Sequence, residues 1–305
     1  MPDYQYIYTI YTFSMANQKY LNIADFTIKL QSNFEFELEI GYDSFITKEE
    51  TPEPDVTIQC YPGIPTLDLP KKSLVFEAKN EIQKFYSIYQ TGPSFAFIIY
   101  NQQTKDEIQQ VAILDETFSR WEVYSNYEDD KIIPLKYPLG PIIMHYLTVK
   151  SSAVMIHASC IFDGQKGRIF TGFSGAGKST ISKIWADAGN LVINDDRLII
   201  RKLDNDFFVY NTPMYYNDRP KKTPLDAIFL ISHFPENKMK KLDGALAVSR
   251  VMAFCIQNNF DSNFIQNNLN FISELSTNVS VFELGFVPNE SVINFILENE
   301  TTGTN

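Results

Sequence analysis

The chain has 305 residues, with 37 acidic against 26 basic side chains and a formal net charge of -11; that length can bury a large core, and that charge balance, with no local basic patch, disfavours nucleic acid or an anionic membrane as the main partner. Cys60, Cys160 and Cys255 are odd in number and widely spaced, which fits neither a disulfide framework nor a zinc site, so a reducing, cytoplasmic setting is expected. The opening MPDYQYIYTIYTF has no basic leader, and no apolar run approaches the ~20 residues of a spanning helix, so the expectation is a soluble, unexported protein.

In chain order, residues 1–130 read as a β-rich domain. FEFELEI sets Phe34, Phe36, Leu38 and Ile40 on one face and Glu35, Glu37 and Glu39 on the other, the two-residue period of a half-buried strand. YQYIYTIYTF, SFAFIIY and WEVYSN are strand candidates by their aromatic and β-branched content, and EETPEPD is an acidic, proline-rich loop. No chemical motif, repeat or low-complexity tract occurs in this half, and its carboxylates read as solvated strand faces. The stretch DDKIIPLKYPLGP, residues 129–141, interrupts the pattern with three prolines, which marks a boundary; 131–141 is taken as a linker, 142–300 as a second domain and 301–305 as a disordered tail.

Beyond the boundary, IIMHYLTV suits a short helix, AVMIHASCIFD a strand, DGQKG a tight connection and RIFTG a second strand. KSTISKIWADAG carries Ile181, Ile184 and Trp185 at helical spacing with Gly189 as its stop, and NLVIN follows as a strand. Between strand and helix lies GFSGAGKST, with Gly172, Gly177, Lys178 and Ser179 at the Gly-x-x-x-x-Gly-Lys-Ser/Thr spacing of a phosphate-binding loop. The chemistry explains the residue types. Gly172, Gly175 and Gly177 let the backbone N–H groups from Phe173 through Ser174, Ala176 and Thr180 crowd onto phosphate oxygens, at the positive end of the helix that begins near Lys178. Lys178 would reach the β- and γ-phosphates and Ser179 would ligate Mg²⁺, so a nucleotide and Mg²⁺ are the expected ligands.

Asp195 and Asp196 follow the next strand. Two adjacent acids beside a polyphosphate are costly without a cation, so either one holds Mg²⁺ while the other faces the attacking group, or the pair is a solvated turn leading into RLIIRKL. His157, on the strand before the loop, can position a transferring phosphate or serve as a core residue; His145 and His233 read as structural. Arg219, Lys221 and Lys222 lie in YNTPMYYNDRPKKTP, which is either a solvated loop or a contact for the nucleotide or acceptor.

The ordered set MIHASCIFDGQKGRIFTGFSGAGKSTISKIWADAGNLVINDDRLII resembles the catalytic core of the HPr serine kinase/phosphorylase family, with strand histidine, phosphate loop and Asp-Asp pair in that order. TPLDAIFLISH, GALAVSRVMAF and VSVFELGFVPNESVINFI extend the likeness, which covers roughly residues 138–298. The resemblance implies an α/β protein whose phosphate-loop kinase core has a mixed (α+β) sheet like that of phosphoenolpyruvate carboxykinase; the hairpin-like DRLIIRKLDNDFFVYN agrees with an antiparallel pair there. By matched position it implies Asp195 as general base, Asp196 and Ser179 as Mg²⁺ ligands, Lys178 as phosphate clamp and His157 as an accessory catalytic group. Two departures stand out: Ala158 and Ser159 follow the histidine where the family usually has Gly, and YNTPMYYNDRPKKTP replaces the family's Leu-Glu-Ile-Arg-Gly stretch. The resemblance therefore leaves phosphorolysis and HPr as acceptor open.

The function expected from these residues is ATP- and Mg²⁺-dependent transfer of the γ-phosphate to a hydroxyl, a serine of a protein or peptide. A non-catalytic ATP sensor that orders the 211–224 segment for a partner, and a small-molecule kinase on the same core, are the alternatives. The resemblance also implies a possible homo-oligomer.

Overall fold

The structure is a computed structural model that describes residues 17–104, 107–149, 151–256 and 260–300. YQYIYTIYTF and the 301–305 tail lie outside the described residues. The chain forms a mixed α/β structure of two compact units. The first takes in the described chain up to Leu139 apart from Asn22–Phe26 and Ile40–Phe45, which group with the second unit, Gly140 onward.

Among the described residues the first unit is built on a nine-stranded sheet. Its strands are β1 (Asn17–Ile23), β2 (Phe26–Ser32), β3 (Ile46–Thr47), β4 (Val56–Pro62), β5 (Leu74–Lys79), β6 (Lys84–Thr91), β7 (Ser94–Tyr100), β8 (Ile108–Leu114) and β9 (Arg120–Ser125), in the order β3-β1-β2-β4-β9-β8-β7-β6-β5. The sheet is mixed: β2, β4 and β9 run parallel and β5 to β9 antiparallel. Register aligns apolar positions across it, Leu30 with Ile58 and Ile58 with Trp121, and all three are buried. Alternation on each strand thus becomes one apolar layer across the sheet. Buried Gln110 donates to the carbonyls of Ile133 (2.9 Å) and Pro134 (3.1 Å), and Ile132 and Leu135 are buried beside them.

FEFELEI departs from the strand expected of it. Phe36 makes a single parallel bridge to Ile132, with Glu37 N–H on Ile132 O at 3.0 Å, and a 3₁₀ turn begins at Ile40, whose side chain is exposed. Alternation describes which side chains share a face, but a strand also needs a ladder partner along its length. This segment has a partner at one position.

The second unit begins with helix α1 (Leu139–Val149) and continues through β10 (Ala153–Phe162), β11 (Gly167–Thr171), α2 (Lys178–Asp187), β12 (Leu191–Asn194), β13 (Arg197–Leu203), β14 (Asp206–Asn211), β15 (Lys222–Pro224), β16 (Ala227–His233), β17 (Lys238–Leu242), α3 (Gly244–Met252), α4 (Ser262–Asn278), β18 (Ser280–Phe286) and α5 (Ser291–Asn299). Its strands run in the order β15-β14-β13-β10-β11-β16-β18-β17, with β12 also paired to β10. Only β11–β16 and β16–β18 are parallel pairs among the described strands of this sheet, so the sheet is mixed.

Helices cover both faces. Ile228 and Leu230 of β16 pack with Ala247 and Val251 of α3 and Ile272 and Leu275 of α4. Phe229 and Ile231, on the opposite face, pack with Ile181 and Trp185 of α2 and Val292 and Ile296 of α5. A strand apolar on both faces is what such a sandwiched position requires. Phe170, Phe229 and Phe282 are in register on β11, β16 and β18, their rings stacked with centroids 5.2 and 5.3 Å apart. Each is buried, worth about 1.5–3 kcal/mol apiece. Trp185 of α2 sits on this row, 6.3 Å from Phe170, and thereby fixes the helix against the strand it follows.

Candidate functional site

The site lies where β11 passes into α2. Glycine is required at Gly172 by close approach, since a Cβ there would come within 2.8 Å of the Ile231 carbonyl oxygen and 2.9 Å of Ala176 Cβ. Gly175 (φ 79°) and Gly177 (φ 97°) occupy the left-handed region that side chains with a Cβ avoid. Gly177 is the N-cap of α2 and no side chain caps the helix. The first-turn N–H groups, which have no partner within a helix, are therefore left at a surface available to an anion.

Lys178 is buried, and its Nζ donates to Gly172 O at 2.9 Å and Phe173 O at 3.4 Å. The loop thus wraps around its own lysine. Burial lowers the Lys178 amine below the usual lysine value, with the Asp196 charge opposing. Ser179 and Thr180 are exposed at the start of the helix.

His157 sits on β10 opposite Arg197 of β13. Its N–H donates to Phe254 O at 3.1 Å and its carbonyl accepts from Thr171 Oγ1 at 2.8 Å, so the backbone is locked while 54 % of the side chain stays exposed. Its Nε2 lies 3.5 Å from Asp196 Oδ1, and Arg197 Nη1 holds Asp196 Oδ2 at 2.7 Å. Burial, followed by the charges of Lys178 and Arg197, keeps His157 below the usual histidine range despite Asp196. Asp195 N–H donates to Asn194 Oδ1 at 2.8 Å, and the peptide that follows Asp196 is anchored where Ala158 N–H donates to Asp196 O at 3.0 Å.

A cavity of about 520 Å³ is lined by His157, Ser174, Gly175, Gly177, Lys178, Ser179, Thr180, Asp195 and Asp196. Gly172 and Phe173 instead line a neighbouring cavity of about 500 Å³ on the α3 side, with Phe254 and Arg250; Phe173 packs edge-on to Phe254 at 5.2 Å. Ala176 packs into the apolar layer beneath.

Met214, Tyr215 and His233 also line the first cavity, and the sequence reading assigned none of them to the site. His233, read there as structural, is exposed at the end of β16. The available signal was its place after the apolar AIFLI run, at the carboxyl end of a strand, where ligands of α/β sheets bind. His145 is buried in α1, edge-on to Tyr146 at 5.5 Å. Arg219, Lys221 and Lys222 do not line this cavity: Lys221 bonds Asp218 (2.7 Å) and Val192 O (2.9 Å), and Lys222 pairs with Asp25 at 2.9 Å. The Asn211 side chain closes the base of their segment, accepting from Lys221 N–H at 2.7 Å and donating to Arg219 O at 2.9 Å.

The donor set suits a hard cation. Ser179 offers a hydroxyl and Asp195 and Asp196 offer carboxylates in one cavity. Among the described residues no three or more His, Cys, Asp or Glu side chains are grouped to hold a metal by themselves. That combination fits Mg²⁺, which takes one or two carboxylates and completes its shell with phosphate and water, and it does not fit an all-protein cage.

No protein-family model matches the chain, and no curated protein does. Among solved structures the chain is similar to the Hpr(Ser) kinase/phosphatase from Coxiella burnetii, at 11% identity and a TM-score of 0.30, over 48% of this chain and 96% of that one. Likeness at this level is too slight to transfer an activity. Among the described residues no helix is long and apolar enough to cross a membrane.

Proposed function

We propose that the chain binds ATP with Mg²⁺ at the loop from Gly172 to Thr180 and transfers the γ-phosphoryl group to a hydroxyl, a serine of a protein or peptide. The observation that carries this reading is that Lys178, Ser179, His157, Asp195 and Asp196, drawn from the start of α2, the middle of β10 and the connection from β12 to β13, line one cavity of about 520 Å³. Mg²⁺ held by Ser179, Asp196 and the phosphates would supply charge neutralisation on the β- and γ-oxygens.

The chain's own groups do the rest. Lys178 leaves the loop carbonyls for the phosphate oxygens, exchanging neutral acceptors for charged ones. Asp195 orients the acceptor hydroxyl and takes its proton late, as the new oxygen–phosphorus bond forms and the bond to the β-phosphate oxygen breaks, releasing ADP. His157 is a hydrogen-bonding group at the same phosphate, turned by Asp196. Tyr215, 84 % exposed at the cavity, gives a polypeptide acceptor an aromatic surface to lie on.

The test incubates the protein with γ-labelled ATP, Mg²⁺ and fractionated lysate. A labelled protein or peptide supports transfer, a labelled metabolite moves the reading to a small-molecule kinase, and label only in free phosphate removes it. Asp195→Asn should keep ATP affinity and lose product. One observation favours a sensor as second reading: Met214 and Tyr215 bring the 212–220 segment to the cavity, so a bound nucleotide can order that segment for a partner without acceptor chemistry.

A further inference from the structure

His233 stands beside the loop in a way that gives it work in the same site. It ends β16, exposed, with its ring 5.4 Å from that of buried Phe286 at an interplanar angle of 30°. Its Cε1 and Nε2 edge faces Gly177: a Cβ on that glycine would lie 3.0 Å from Cε1 and 3.2 Å from Nε2. Phe286 Cζ would be 2.9 Å from the same Cβ. The missing side chain at Gly177 therefore leaves room for the imidazole next to the start of α2. Among the described residues the ring nitrogens of His233 have no hydrogen-bond partner, while the ring lines the phosphate cavity.

Sheet order places His233 and the aspartates on opposite sides of the loop. The loop springs from β11; β16 flanks β11 on one side and β10 on the other, and Asp195 and Asp196 lie between β12 and β13, both paired to the far edge of β10. Three strand spacings, roughly 14 Å, separate the two backbone positions, so the imidazole and the carboxylates meet a bound phosphate chain from opposite sides of the loop.

We infer that His233 binds the α-phosphate end of the nucleotide, with the imidazole on Phe286 forming the wall on the nucleoside side. This rests on the nucleotide reading above, in which the γ-phosphoryl group lies at the Asp195 and Asp196 end. An imidazole has an N–H donor in either protonation state, so the contact needs no change of charge. It deepens the reading by giving the cavity a direction: acceptor and metal at the aspartates, nucleoside at the end of β16.

Titration calorimetry with ATP·Mg²⁺ and ADP·Mg²⁺ tests it, on wild type, His233→Ala, His233→Gln and Lys178→Ala. His233→Ala should weaken ATP and ADP by the same factor, about tenfold, as the loss of one charge-assisted hydrogen bond predicts. His233→Gln, which keeps an N–H donor, should recover most of that loss, which a purely structural role would not show. Unchanged ATP and ADP affinity in His233→Ala overturns the inference while loss in Lys178→Ala keeps the nucleotide site. Weakening of ATP alone overturns it too, because the contact would then be at the γ-phosphate. A wild-type protein that binds neither nucleotide overturns both this inference and the reading beneath it.

Discussion

Arg168 grips Glu300 with two guanidinium nitrogens, Nε on Oε2 at 2.8 Å and Nη2 on Oε1 at 2.7 Å, and reaches Asp163 with Nη1 at 2.6 Å. The Arg168 and Glu300 side chains are 1 % and 6 % exposed, and the guanidinium lies over Trp185, 5.3 Å from its ring. The pair joins β11, which leads into the glycine-rich loop, to the residue that follows α5. Glu300→Ala leaves the arginine charge buried with one carboxylate fewer, so unfolding free energy should fall by about 3 kcal/mol, read from the midpoint of urea denaturation. A loss under about 0.5 kcal/mol would show that water replaces the carboxylate.

The same pair sets an acid limit. Burial pushes the Glu300 carboxyl up, but hydrogen bonds and charge from Arg168 and Lys166 outweigh it and hold the group below its ordinary value of 4.5. A carboxylate with a depressed folded pKa contributes stability that is present above the unfolded value and lost as pH falls through the folded one. Thermal midpoints should therefore drop steeply below about pH 4.5, and Glu300→Gln should be less stable at neutral pH with a shallower acid decline. Parallel wild-type and variant profiles would contradict this.

Lys178→Ala removes the amine now held by Gly172 O and Phe173 O. Nucleotide affinity should fall by about a hundredfold, near the value of two charge-assisted hydrogen bonds, measured by displacement of a fluorescent ATP analogue. An intact far-ultraviolet spectrum should accompany it.

Gly177→Ala combines a left-handed φ of 97° with a Cβ only 2.9 Å from Phe286 Cζ. The cost should be about 1–3 kcal/mol of stability, and nucleotide affinity should drop with it because the imidazole of His233 is displaced. Gly63, also at positive φ but with nothing within 4 Å of an added Cβ, is the control: its alanine variant should lose stability without losing affinity.

The run from β11 through β14 was legible because its signals are local. Gly189 (φ 87°) ends α2 with its N–H on Ala186 O, and β13 and β14 pair as the hairpin that DRLIIRKLDNDFFVYN announces. Helix α4 was not legible: SNFIQNNLNFISELSTN is rich in asparagine, a weak helix former, and the helix owes its place to Phe271, Ile272 and Leu275 in the core and to Asp261 capping Asn263 and Phe264 N–H. FEFELEI misled for the opposite reason, a clean period without a ladder. His233 was missed because its neighbour Gly177 is 56 positions away in sequence and only the parallel β11–β16 pairing brings them together.

Asn211, the last residue of β14, holds the far end of the turn that follows through Arg219 O and Lys221 N–H, and so closes residues 212–220 into one loop. Thr212 within it donates to Arg197 O at 3.0 Å, and Met214 and Tyr215 line the cavity, so a change of side chain at 214 or 215 is felt directly at the cavity wall. Either exchange would reshape the mouth of the cavity while leaving the glycine-rich loop and the aspartates on their own elements.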